Sequence, residues 1–374
     1  MDIQKLEKLL QSWEHRGYKF KNRFGMAAMT RCRADPDGTP NDLNKAYYTQ
    51  RAESVAFMST EAMGVMPNCN PWGASCNVYT TKAVQKWREI NDEIHKHGAY
   101  IFAQLVHGGR TVHPDFNNGI QPMGPSAILL KGEAHTPLGK KPHVLCREMT
   151  KQDIQTIKDA FRISINNSIA AGFDGVEFHG ANGYMIDQFL RSGSNNRTDE
   201  YGGSIENRCR FLLELVDLAL TLIPAHKIGV KISLVGRYQD MYDEDPEKLG
   251  QYLLTELSHR KILYVVMGSP ESFGDGAKQI ANTAKFGRRY FNGLIVGDGH
   301  IELEERLRRV SEGEADIANF GALMWANPDL VERLKNNWPL SAPDFQFMYA
   351  GGPKSYADIP RYDPKSVSVT AKAN

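Results

Sequence analysis

The feature that most limits how this chain can fold is a rhythm: short apolar runs alternate with longer amphipathic ones about eight times along 374 residues. Such alternation builds a parallel sheet with helices outside it, and eight repeats close the sheet into an α/β fold of the (β/α)8 TIM-barrel type. The spacing predicts strands near 24–29, 55–60, 99–106, 173–179, 228–233, 262–267, 291–296 and 315–321. Helix signals fall between them. Thr150 with Asp153 reads as a capping box, and Ile154, Ile157, Phe161, Ile165 and Ile169 then form one apolar stripe that ends at Gly172. Phe211, Leu212, Leu215, Leu218 and Leu222 repeat the pattern, and Asn327-Pro328 reads as a cap with proline at the first helical position.

Two stretches depart from the rhythm. Residues 107–149 are rich in glycine and proline and too long for a plain connector, which marks a lid or binding loop. The end of the chain is aromatic from Pro343 and then fades into Ser, Lys and Ala, so residues from about 363 to 374 read as a disordered tail. The expectation is a single domain over 1–374.

Composition excludes several classes of function. Hydrophobic residues at 41% and charged residues at 24% describe a globular chain with material for a large core. A formal net charge of +1 gives nothing for nucleic acid or an anionic membrane to attract. The basic run at Arg306, Arg308 and Arg309 stands among glutamates at helical spacing and reads as a solvated helix face. Five scattered cysteines without a C-x-x-C pair fit neither a disulfide framework nor a metal site. With no signal-peptide pattern and no long apolar run, the expected location is the cytoplasm.

Chemistry concentrates between Asp174 and Gly202, in DGVEFHGANGYMIDQFLRSGSNNRTDEYGG. A buried strand runs there into a glycine-punctuated turn carrying His179, Asn182 and Tyr184. An imidazole and a carboxamide can jointly hold an oxyanion, and a nearby phenol can deliver a proton. A barrel builds its active site at the carboxyl ends of its strands, so Thr30, Glu61, Gln104, His107, Lys231 and Ser269 should face the same cavity. Gly297, Gly299 and Gly321 follow the last two strands, where bare backbone can turn its N–H groups onto a phosphate. One cation, one phosphate site and one donor pair suggest a phosphorylated cofactor.

The run HGANGYMIDQFL, six residues on followed by RTDEYGGSIENR, resembles the old yellow enzyme family of flavin-dependent ene-reductases. The likeness extends over roughly 20–362, through Asn22-Arg23, MTRCR from Met29, AQLVHGGR from Ala103, GPSAI from Gly124, AGFDGVE from Ala171 and NPDLVERL from Asn327. It implies a barrel that holds FMN non-covalently, is reduced by NADPH with NADH as the alternative, and passes hydride to an activated alkene. In the resemblance His179 and Asn182 bind the substrate's carbonyl or nitro oxygen, and Tyr184 protonates the α-carbon. Ala28, Met29, Thr30, Ala62 and Gln104 match contacts to the flavin ring, and Lys231 matches the cation near N1 and the C2 carbonyl. Gly297, Gly299, Gly321 and Ala322 would meet the phosphate, while Tyr349 and Tyr238 would face the substrate. A prostaglandin endoperoxide reductase on the same flavin and a non-catalytic flavin-binding protein are the alternatives. The implied partners are small enone, nitro or quinone-like molecules, with a monomer or homodimer as the assembly.

Four positions depart from the family pattern. Ala27-Ala28 replaces a common proline, Val106 stands where tryptophan is frequent, and Lys231 stands where arginine is common. Ala322 replaces an arginine on the FMN phosphate, which leaves the backbone, with a basic side chain from elsewhere, to hold that group. Weaker FMN retention is the expectation.

Overall fold

A computed structural model of the protein describes residues 3–269, 280–349 and 351–365. Of the expected tail, residues 366–374 lie outside the described residues. Eight parallel strands form the barrel: β1 Phe24–Met26, β2 Phe57–Ser59, β3 Tyr100–Val106, β4 Gly175–Gly180, β5 Ile228–Ile232, β6 Tyr264–Met267, β7 Leu294–Gly297 and β8 Ile317–Phe320. Each pairs with the next, β8 returns to β1 through Ala318 opposite Phe24, and β3 meets β4 through Phe102 opposite Gly175. The ring is closed, and every strand lies within or beside its predicted span.

Burial explains why these segments are strands: β4 to β8 are buried at every position, as strands wrapped by helices must be. The helix Lys151–Ala170 begins at the Thr150–Asp153 capping box and buries Ile154, Ile157, Phe161 and Ile165. Gly172 follows it at φ 83°, the left-handed position that glycine takes without strain. The expected cap at Asn327 is placed otherwise. The helix there spans Leu330–Lys335, while the Asn327 side chain donates to Leu323 O and Ser341 O, both at 2.9 Å, tethering the chain that follows.

The amino end of the barrel is plugged. A hairpin of Trp13–His15 and Tyr18–Phe20 presses Tyr18 and Phe20 against Tyr100, with ring centroids 4.8 and 5.4 Å apart. Phe57, Phe102 and Tyr264 fill the next layer. The ring of Tyr264 lies over Gly229, where an added Cβ would stand 2.1 Å from its Cζ. With this end filled by side chains, the barrel opens toward the carboxyl ends of its strands.

The 107–149 excursion carries two 3-10 turns, Gly109–Thr111 and Pro114–Phe116, and a hairpin of Glu133–Thr136 with Gly139–Pro142. It reaches over the barrel mouth, where His135 stacks on Trp72 at 5.5 Å.

Candidate active site

At the carboxyl ends lies a cavity of about 490 Å³, a size suited to a cofactor or small ligand. His179, at the end of β4, shares its wall with Asn182, Tyr184, Gln104 and Lys231. Ala28, Met29, Thr30 and Ala62 line it from the ends of β1 and β2. Gly299, Gly321 and Ala322 also line it, as do the partly exposed Tyr238 and Tyr349. Gly297 is not part of the lining; it lies in β7, and its carbonyl oxygen accepts from Arg306. Glu61, His107 and Ser269 also stand outside this lining, although Ser269 borders an adjoining smaller pocket.

The turn after β4 is held from beneath. Asn182 adopts φ 60°, a conformation that asparagine tolerates better than most residues, and Gly183 follows at φ 74°. Asp187 Oδ2 accepts from Gly183 N at 2.9 Å, and the Ser233 hydroxyl accepts from Asn182 N at 3.1 Å. Gln188 Nε2 donates to Gly183 O at 2.7 Å and to Gly108 O at 3.1 Å. The turn that presents the donor pair is therefore fixed by side chains of the next helix, Met185–Leu190.

Burial sets the protonation states. His179 is 4% exposed; desolvation first, then the nearby Lys231 cation, lowers its pKa to about 3, so the imidazole is neutral near pH 7. Its Nδ1 has no hydrogen-bond partner among the described residues. Tyr184 is held well above the usual phenol range, chiefly by burial, while Trp72 Nε1 donates to its oxygen at 3.2 Å and works the other way. The His179 and Tyr184 rings lie 5.2 Å apart.

Beneath the cavity floor Glu177 accepts from Ser59 Oγ at 2.9 Å, Tyr264 Oη at 3.0 Å and Gln104 Nε2 at 2.6 Å. The Gln104 amide nitrogen is thus turned down to Glu177, whose pKa is raised by burial against the opposing pull of the Lys231 cation. Lys231 Nζ lies 2.6 Å from Asp298 Oδ2. Burial works against the ammonium, but the Asp298 carboxylate outweighs it and raises the Lys231 pKa; Asp298 is correspondingly lowered despite its own burial. Both shifts favour a charged pair.

Sequence reasoning missed Trp72, Asp298 and Arg306. Asp298 stands between two glycines whose backbone drew the attention, and Trp72 lies in a loop that no periodicity marks. The reading of Arg306 and Arg309 as a solvated face is corrected: they are 7% and 8% exposed. The helix Leu303–Ser311 turns Arg306 under the ends of β7 and β8, where its guanidinium donates to Gly297 O at 3.2 Å and to the carbonyls of Asn319 and Gly299. Arg308 keeps the expected character, paired with Glu305, Glu312 and Glu314.

Comparison with known proteins places the fold in a family. Residues 15–341 match the model of the NADH:flavin oxidoreductase / NADH oxidase family. A probable flavin mononucleotide-dependent alkene reductase of Leishmania infantum is 37% identical, over 92% of this chain and 94% of that protein. The old yellow enzyme homologue of Zymomonas mobilis superposes with a TM-score of 0.90 at 32% identity, covering 95% of this chain and 100% of the other. Morphinone reductase in complex with tetrahydroNAD gives a TM-score of 0.88 at 31% identity, over 96% and 98% of the two chains. The closed barrel, the cavity at its carboxyl rim and these likenesses make the chain a member of the NADH:flavin oxidoreductase / NADH oxidase family, an FMN-dependent oxidoreductase of the old yellow enzyme type.

Proposed function

We propose that the protein reduces the activated C=C bond of α,β-unsaturated carbonyl or nitro compounds, with NADPH or NADH as the source of hydride. The observation that carries this reading is the convergence of two neutral donors and a phenol, His179, Asn182 and Tyr184, on one wall of a cavity that also holds a buried cation. The cavity fits FMN in volume and in donor set. Ala28, Met29, Thr30, Ala62, Gln104 and Lys231 would hold the ring, and Gly299, Gly321 and Ala322, with Gly297 behind them, the phosphate end. When bound, FMN accepts hydride from the nicotinamide and passes it to the β-carbon of the alkene.

The chain's own groups do the remaining work. His179 and Asn182 bind the carbonyl or nitro oxygen and stabilise the charge that gathers there as the β-carbon takes hydride. A neutral imidazole suits this role, because its N–H donates without titrating near pH 7. Tyr184 stays protonated at neutral pH and transfers its proton to the α-carbon. The Trp72 N–H then stabilises the phenolate left on Tyr184, which recovers a proton from solvent. Lys231, held charged by Asp298, would hold the ring of the cofactor and favour the negative charge that reduction adds there.

Product analysis tests the activity. Wild-type protein incubated with NADPH and 2-cyclohexenone should form cyclohexanone, and Tyr184→Phe should form it slowly. If reconstituted wild-type protein forms no saturated ketone from any enone or nitroalkene offered, the reading fails.

A further inference from the structure

The cavity's charges do not cancel. Lys231 and Asp298 neutralise each other at 2.6 Å, but Arg306 forms no ion pair among the described residues and rests only on the carbonyls of Gly297, Gly299 and Asn319. Its guanidinium also lies over the Phe320 ring, 4.9 Å from the centroid. Burial lowers its pKa to about 10, which still leaves it a cation at neutral pH. Its remaining N–H groups, Nε–H among them, have no acceptor among the described residues, and the side chain lines the cavity. The Asp298 carboxylate, taken up by Lys231, favours the charged guanidinium only from beyond ion-pair contact, and a buried cation with no ion pair is costly unless an anion meets it.

Arg306 lines the cavity beside Gly299, whose carbonyl it binds, and beside Asn319 and Phe320, which lead directly into Gly321 and Ala322. Ala322 offers no charge, and of the two cations lining the cavity among the described residues Lys231 is already paired with Asp298, which leaves Arg306 to meet an anion bound there. We infer that Arg306, reaching in from the helix Leu303–Ser311, binds the terminal phosphate of the flavin in place of the arginine absent at position 322. This inference rests on the FMN reading above. It also changes an expectation from the sequence: a phosphate grip relocated to Arg306 need not be a weak one.

A planar guanidinium can present two parallel N–H groups to a phosphate, and charge-assisted hydrogen bonds of this kind contribute enough to change affinity roughly ten- to a hundred-fold. The same residue could instead be a clamp that only ties β7 to β8. FMN and riboflavin differ by the phosphate alone, so their relative affinity separates the two roles. Apoprotein of wild type, Arg306→Gln, Arg306→Lys and Arg306→Gln/Ala322→Arg would be titrated with each flavin, following quenching of flavin fluorescence.

The expected result is that wild type prefers FMN to riboflavin by roughly ten-fold or more, and that Arg306→Gln abolishes most of that preference while binding riboflavin as before. Arg306→Lys should keep part of it, and Ala322→Arg should restore it in the Gln background. An undiminished preference for FMN in Arg306→Gln overturns the inference. Should the Gln variant fail to fold, an undiminished preference in Arg306→Lys overturns it equally, because the bidentate fork is lost there. Wild-type apoprotein that binds neither flavin would instead overturn the FMN reading itself.

Discussion

Trp72 Nε1 donates to Tyr184 Oη at 3.2 Å, so the phenol oxygen already accepts a hydrogen bond and its own proton must point elsewhere. Trp72 is itself sandwiched, stacked on Tyr349 at 4.3 Å and on His135 at 5.5 Å. The proposed proton donor is thus held by an aromatic stack drawn from the loop at Trp72, the hairpin at His135 and the chain at Tyr349. Trp72→Phe keeps most of the stack and removes the N–H. The expected effect is a further rise in the Tyr184 pKa and a roughly two- to ten-fold slower proton transfer to enone, the size of one neutral hydrogen bond. Stopped-flow reoxidation by enone checks it; an unchanged rate would mean that the contact only packs.

Lys231 and Asp298 act as a unit. Lys231→Met should lower the reduction potential of the bound flavin, whereas Asp298→Asn should raise it by leaving the ammonium less compensated. Dye-equilibrated redox titration of both variants gives the two signs. Shifts in the same direction would show that the pair does not act through its charge.

The His179 imidazole links stability to pH. Its folded-state pKa, about 3, lies below its ordinary 6.5, so the unfolded chain binds the proton more readily. Stability contributed by this residue is therefore full above about pH 6.5 and is lost as pH falls toward 3, by roughly 1.4 kcal/mol per pH unit. The stability difference between wild type and His179→Asn, from urea unfolding, should shrink on acidification through that window and stay constant above it. Binding of a neutral enone analogue should show no step near pH 6.5 that His179→Asn removes.

Gly229 makes room for the Tyr264 ring, which in turn donates to Glu177. An added methyl would meet the ring at 2.1 Å and the backbone has little space to yield. Gly229→Ala should cost about 1–3 kcal/mol or more in urea unfolding. Because Glu177 also fixes Gln104, flavin affinity should fall in the same variant.

The parts of this protein that were legible in its sequence are those carried by period and by local chemistry. Buried strands such as Ile228–Ile232 show themselves as apolar runs, and the Thr150–Asp153 box marks a helix start within four residues. His179, Asn182 and Tyr184 stand together because one turn holds all of them. What escaped depends on distance in the chain. Trp72 meets Tyr184 across 112 positions, and Lys231 meets Asp298 across 67. Arg306 and Arg309 were misjudged because their glutamate-rich neighbours fit a solvated helix, and only the packing of that helix under β7 and β8 buries them and turns Arg306 into the cavity. The plug formed by Tyr18 and Phe20 was equally invisible, since a two-strand hairpin has too little period to separate it from a loop.

The most direct test follows the flavin spectrum of Tyr184→Phe beside wild type, without oxygen, through reduction by NADPH and then reoxidation by 2-cyclohexenone. Both proteins should bleach at similar rates, and the variant should recover its colour roughly a hundred-fold more slowly or worse, because only the proton step has lost its donor. Reoxidation at the wild-type rate would remove Tyr184 from the chemistry, and with it the reading of the β4 turn as an oxyanion clamp paired with a proton donor.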